Sequence, residues 1–229
     1  MKPLSLAFVL FTLALLGFST YQALFVAPTE QTMGDVQRIF YYHVPSAWVA
    51  GVCFLVNFVA SIAYILKRSS NADALAAASA EVGVVFCTIV LITGPIWARP
   101  VWGIWWTWDA RLTTTLVLWL IYVSYLILRR FAAGSQTHLL AAVLGIFGFV
   151  DVPIVYMSIR WFRTQHPSPV MGGGENSGLD PAMLHVFLWN LLAFTCVGII
   201  LTASRYRLQR LENELEAEHA RLALAGGGR

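Results

Sequence analysis

Apolar residues along this 229-residue chain fall in six long runs separated by short polar links. The runs cover roughly 4–25, 44–66, 77–97, 112–128, 138–158 and 182–204. A bilayer-crossing helix needs about 20 mostly apolar residues, so each run predicts one span and the whole predicts an all-α polytopic membrane bundle. The first run follows a single Lys2, is longer than the apolar region of a signal peptide and lacks a clear small-residue cleavage site. It therefore reads as a retained span. From Arg205 the chain turns charged, with Leu208, Leu211 and Leu215 at helical spacing, which predicts a helix continuing the last span. The expected division is a six-span domain, 1–204, and a helical tail, 205–229.

Composition agrees: 58% of residues are hydrophobic and 12% charged, with a mean hydropathy of +0.68. Soluble domains carry about twice that share of charge. Lys2, Lys67, Arg68, Arg129, Arg130, Arg205, Arg207 and Arg210 fall at one set of span ends, and Arg38, Arg99, Arg111, Arg160 and Arg163 at the other. The heavier set marks the cytoplasm under the positive-inside rule. Both termini are then cytoplasmic, and the links near 26–43, 98–111 and 159–181 face outward. Cys53, Cys87 and Cys196 all lie in apolar runs without a C-x-x-C and read as inert core thiols. The chain has no internal repeat, no phosphate-binding glycine loop and neither an H-E-x-x-H nor a Ser-His-Asp pattern.

Polar residues near the runs mark the span ends and the exceptions. A helical pattern from Met33 to Tyr42 leads to His43 and then Pro45, which suits the first turn of the second span. Glu81 reads as snorkelling or as a contact with a partner helix, and His138 as merely solvated. Asp151 lies within the fifth span beside Pro153, a pair that predicts a kinked, packed segment with either a structural or a functional carboxylate. His166 sits in a Gly/Pro/Ser-rich loop, and Asp180-Pro181 caps the sixth span just before His185.

The stretch W-A-R-P-V-W-G-I-W-W-T-W-D-A-R holds five of the nine tryptophans: Trp97, Trp102, Trp105, Trp106 and Trp108. On a helix the last four would spread over about 160°, too wide for one lipid-facing stripe, and Pro100 is expected to interrupt any helix running on from Trp97. A platform for a large flat apolar ligand fits better than an interfacial aromatic belt alone. Asp109 either caps the fourth span or belongs to the site. His43 and His185 flank the platform at one depth, and Arg38, Arg99 and Arg111 supply carboxylate-gripping donors. Imidazole ligands, flat rings and guanidinium groups together point to an outward-facing haem site. Zinc would want three or four ligands and more carboxylates.

At these residues the chain resembles the WWD-motif haem-handling proteins of cytochrome c maturation, and its length, six spans and single histidine in each flanking segment resemble the CcmC family among them. Y-Y-H-V-P at 41–45 and F-V-D-V-P-I-V-Y-M-S-I-R-W-F-R-T at 149–164 match as well. The likeness covers about 33–204. Phe162 departs from it where a second tryptophan often follows Trp161, and the tail lies outside it. The resemblance implies a protein of the bacterial inner membrane that holds haem b as transient cargo at the periplasmic face. It presents the haem to the chaperone CcmE, in company with the ABC subunits CcmA and CcmB and the small membrane protein CcmD. By the same resemblance His43 and His185 would be axial iron ligands. Trp97, Trp102, Trp106 and Asp109 would form the platform and chaperone contact, and Arg38 and Arg111 would hold the propionates. Two other classes remain open at this point: a b-type cytochrome subunit, which would pair histidines inside its spans, and a haem permease, which would show repeats and a mid-depth site.

Overall fold

The computed structural model describes residues 3–132, 134, 136–167 and 178–226. Lys2 and the glycine-rich part of the third outward link, 168–177, lie outside them. Six segments are long and apolar enough to cross a membrane: Leu4–Val26, Asp35–Lys67, Ser70–Trp102, Ala110–Phe131, Thr137–Trp161 and Pro181–His219. The chain is thus an all-α multi-pass membrane protein, with a single isolated bridge, Glu30 to Gly34, among the described residues. The helices are α1 (Pro3–Tyr21), α2 (Phe40–Lys67), α3 (Ser70–Trp102), α4 (Ala110–Phe131), α5 (Thr137–Phe149), α6 (Asp151–Trp161) and α7 (Pro181–Gly226). Successive spans run in alternate directions, α5 and α6 together making one span. One end of the bundle therefore gathers the tryptophan stretch, the link before α2 and the link before α7, and the opposite end gathers the arginine-rich links.

Local chemistry sets the boundaries. Arg68 takes φ +51° and its N–H reaches Tyr64 O at 2.7 Å, closing α2. Ser69 accepts from the Ala72 N–H and opens α3. The Asp109 carboxylate accepts from the Leu112 N–H at 3.0 Å, so it caps α4. Asp180 does the same for Ala182 at 2.8 Å, with Pro181 at the first position of α7. The tail continues α7 without a break to Gly226.

Three details differ from the sequence expectation. Pro100 does not interrupt α3, which runs on to Trp102 through both Pro95 and Pro100. Pro100 forfeits only the bond to the Ile96 carbonyl close to the helix end. The actual stop is Gly103, at φ +77° with its N–H on Arg99 O. The second span starts earlier than His43, because a tight turn at Asp35–Ile39 feeds directly into α2 and leaves Pro45 inside the helix. His138 is not simply solvated: its Nδ1 lies 3.0 Å from Asp73 Oδ2. The kink at Asp151 and Pro153 is present as the break at Val150 between α5 and α6, with Pro153 in the first turn of α6.

The core is packed through small residues, as expected where close helix approach rather than water exclusion drives association. α2 and α3 form the most extensive pair. Phe54 of α2 stacks on Tyr122 of α4 with centroids 3.9 Å apart, and it fits because Gly83 leaves room: a Cβ there would sit 2.5 Å from the Phe54 ring. Buried Asn57 donates to Ala76 O at 2.8 Å across the α2–α3 seam. At the opposite end Arg129 grips the buried Asp73 with two bonds, at 2.6 and 2.8 Å. Glu81 meets a partner helix, accepting from Arg205 Nη2 at 2.8 Å, and Asn213 reaches Ser70 Oγ at 3.2 Å. These bonds hold the start of the tail against α3.

Candidate functional site

At the tryptophan-rich end, His43 lies one turn into α2 and faces α3. Its Nδ1 is 2.8 Å from Thr93 Oγ1. The Thr93 hydroxyl also lies 2.7 Å from Ile89 O, and with its proton spent there its oxygen accepts from His43. In that arrangement Nδ1 of His43 carries the proton and Nε2 keeps a free lone pair, the tautomer of a metal-ligating imidazole. The ring of Trp97, one turn beyond Thr93, stands edge-to-face to His43 with centroids 5.9 Å apart and also contacts Phe40.

The rest of the tryptophan stretch leaves the helix at Gly103. Trp106 and Trp108 form a T-shaped pair with centroids 5.7 Å apart. Trp105 and Trp108 are 59% and 77% exposed, whereas Nε1 of Trp97 and of Trp106 is buried without a partner. Trp102, the last residue of α3, is half-buried. Two unpaired indole N–H groups, a free imidazole nitrogen and flat ring faces are a donor set suited to a planar, metal-bearing ligand with acceptor groups at its rim.

Asp109 caps α4, as one of the two sequence readings has it, and makes a second bond. One oxygen caps α4, and the other accepts from the Thr164 hydroxyl at 2.7 Å. This bond ties the tryptophan loop to the segment after α6, and a shallow cavity of about 350 Å³ opens there between Thr107, Asp109 and residues 163–165. Thr164 in turn accepts from the His166 N–H at 3.1 Å. His166 Nδ1 lies 2.9 Å from the Pro167 carbonyl, which can only accept, so Nδ1 is protonated and Nε2 is again free of any described partner. Burial, with the Arg111 charge next, holds the His166 imidazole down to about 4. His166 and Arg111 both lie within electrostatic reach of His43.

The other expected residues are engaged elsewhere. Arg111 Nη1 donates to Val155 O at 2.7 Å, tying the start of α4 to the middle of α6. Arg38 donates to Ala23 O at 2.8 Å and pairs with Asp35 at 3.1 Å. Arg99 donates to Gly103 O. Each guanidinium keeps further N–H groups. His185 is exposed on α7, and its Nε2 accepts from Trp189 Nε1 at 3.0 Å. Trp189 packs edge-on to Phe18 of α1, so His185 is turned to the α1 side, and no described contact joins it to His43. Thr93, Thr164 and the placement of His166 were not singled out from the sequence. The available signals were a threonine one turn before Trp97 and a Thr-x-His spacing after Trp161.

Comparison with known proteins places these residues in context. The profile of the family described as CcmC, Heme exporter protein C, matches residues 1–221. Heme exporter protein C of Bradyrhizobium diazoefficiens is 35% identical over 208 residues, covering 90% of this chain and 78% of that protein. Its namesake in Escherichia coli K12 is 35% identical over 188 residues, 79% of this chain and 73% of the relative. A putative cytochrome c biosynthesis ccmC-like mitochondrial protein of Marchantia polymorpha is 30% identical over 186 residues, 81% of this chain and 79% of its own length.

Proposed function

Because this chain belongs to the CcmC, or heme exporter protein C, family, we propose that it binds haem at the periplasmic face of the bacterial inner membrane and hands it to the chaperone CcmE for c-type cytochrome assembly. Haem handling in cytochrome c maturation follows from the family itself, as does work alongside other Ccm proteins. The outward orientation, CcmE as recipient and CcmA, CcmB and CcmD as partners are the finer reading.

The observation that carries this reading is His43: a histidine at the tryptophan-rich end whose Nδ1 is held by Thr93, leaving Nε2 for iron beside the Trp97 ring. Haem b brings an iron with two axial positions, a flat apolar ring and two carboxylates. His43 supplies one axial ligand. His185 supplies the other once its Nε2 gives up the Trp189 N–H. Trp97, Trp102 and Trp106 offer ring faces and the unpaired Nε1 donors of Trp97 and Trp106. Asp109 holds the tryptophan loop at both its oxygens and so shapes the surface that CcmE meets. Arg38 and Arg111 use their remaining N–H groups on the propionates. A transfer protein gains from ligands at the bundle end, where a partner can approach one edge of the cargo.

The test is the absorption spectrum of the chain purified from haem-sufficient cells, with His43→Ala and His185→Ala beside it, together with CcmE loading in cells. A low-spin bis-histidine spectrum that is lost with His43→Ala, and loading that falls in both variants, supports the reading. Full loading by both variants removes it.

A further inference from the structure

Away from the tryptophan-rich end, the seam between α2 and α7 is open on its lipid side. The two helices run in the same direction and touch where Gly198 leaves room for Val49 and where Cys53 Sγ lies 3.9 Å from Thr202 Oγ1. Beside that line of contact is a cleft of about 370 Å³, walled by Trp48, Val52 and Val56 of α2 and by Ile199, Ala203 and Tyr206 of α7. Along α7 it extends from Thr195 to Tyr206, about 16 Å at the helical rise. That is close to the depth of one leaflet in a hydrocarbon core about 30 Å thick. Hydroxyls in the lining are turned onto their own helices: Thr195 donates to Leu191 O at 2.7 Å and Ser79 to Leu75 O at 2.8 Å. The wall is correspondingly apolar. Beyond Tyr206 the helix turns basic. Arg210 lies one turn further on, against the Tyr206 side chain, and its exposed pair with Glu214 at 3.1 Å leaves further guanidinium N–H groups. Arg207 is exposed beside it.

We propose that this cleft holds one acyl chain of a membrane phospholipid, with the lipid's phosphate gripped by Arg210 at the mouth. Three features select that occupant. The cleft is one leaflet deep and ends at the arginine-rich side, where the headgroups of that leaflet lie. Its volume over that length suits a single hydrocarbon chain, whereas a helix, about 10 Å across, could only lie over it. The charge at its mouth is the one that a phosphate needs, and arginine binds phosphate through paired N–H groups. The Arg210–Glu214 pair is an exposed one, which contributes little, so the guanidinium can turn to a phosphate at small cost. An acyl chain gains nothing here by leaving water, because the bilayer already shelters it. Close packing in the cleft and the phosphate bonds hold it instead. A lipid seated this way seals the α2–α7 seam. It also braces the start of the tail, which the Glu81–Arg205 and Ser70–Asn213 contacts hold on the α3 side.

The experiment is native mass spectrometry of the detergent-purified full chain, first as isolated from membranes, then delipidated and titrated with phosphatidylglycerol. Wild type should retain one phospholipid and take one back after delipidation. Ala203→Trp and Ile199→Trp fill the cleft from exposed lining positions, leave the buried core alone and should abolish retention. Arg210→Ala leaves the cleft open and should weaken phosphatidylglycerol binding roughly tenfold, the effect of losing a hydrogen bond to a charged group. Elution volume and helical circular dichroism matching wild type show that each variant is folded. The proposal is overturned if wild type takes up no lipid, if the filled variants retain it as wild type does, or if Arg210→Ala binds it equally well. It is overturned too if a small protein copurifies in fixed ratio with wild type and is released by Ala203→Trp while lipid retention stays unchanged, since the cleft would then seat a partner helix.

Discussion

The two ends of the bundle treat their charged and imidazole side chains in opposite ways. At the arginine-rich end the charges are paired: buried Asp73 accepts from Arg129 twice and contacts His138, and half-buried Glu81 is paired with Arg205. At the tryptophan-rich end His43 and His166 each hold one nitrogen fixed and the other open, and two buried indole N–H groups have no partner. Burying unpaired donors is costly, so an end built this way is poorer in stability and richer in unused bonding capacity. The first end works as a clamp, and the second keeps the bonding capacity that the proposed haem site would use.

The largest effect should come from breaking the clamp. Asp73→Ala leaves the Arg129 guanidinium buried without its carboxylate and His138 without its neighbour, and should cost about 3 kcal/mol or more. Thermal unfolding in detergent measures this, and an unchanged midpoint would show that the pairing is not structural. Hemin binding by the folded fraction should be spared.

The converse variant is Thr93→Val. It removes the acceptor that fixes the His43 tautomer while keeping the shape of the side chain. Hemin affinity should drop roughly tenfold, with a shift in melting temperature well below that of Asp73→Ala. Comparable losses of stability in the two variants would erase the contrast between the ends.

Asp109→Asn sharpens it further. An amide still accepts from the Leu112 N–H through its oxygen, but its NH₂ cannot accept from Thr164. The cap, worth about 1 kcal/mol, should survive, and the segment 162–167 should loosen, read as faster proteolysis there. Asp109→Ala should lose both.

The smallest effect concerns pH. His166 is held near 4, whereas a free imidazole titrates near 6.5. The docked segment is fully stable above 6.5, and its stability is eroded as pH falls toward 4, because the released form binds the proton first. Histidine NMR of the ligand-free protein should show one ring titrating well below the others. A midpoint near 6.5 for His166 would mean that the ring is not buried against Arg111.

Particular residues show what could be read beforehand. Asp109 and Asp180 are caps because an acidic residue stands where an apolar run resumes, and Val150 is a break because Asp151 and Pro153 interrupt one. Pro100 misled, since a proline near a helix end costs little while Gly103 three residues later decides the stop. His138 misled because its partner, Asp73, is 65 residues away.

By itself, then, the sequence determined the six spans, the caps at Asp109 and Asp180 and the helix that continues the last span. Length, hydropathy and capping act over one or two helical turns, and the chain states them in order. Only the tertiary structure decided which imidazole nitrogen is free. Thr93 lies 50 residues from His43, and Thr164 lies 55 residues from Asp109. A hydrogen bond depends on partners that packing brings within about 3 Å, which is why His43, His166 and His185 look alike as letters and differ in which ring nitrogen is engaged.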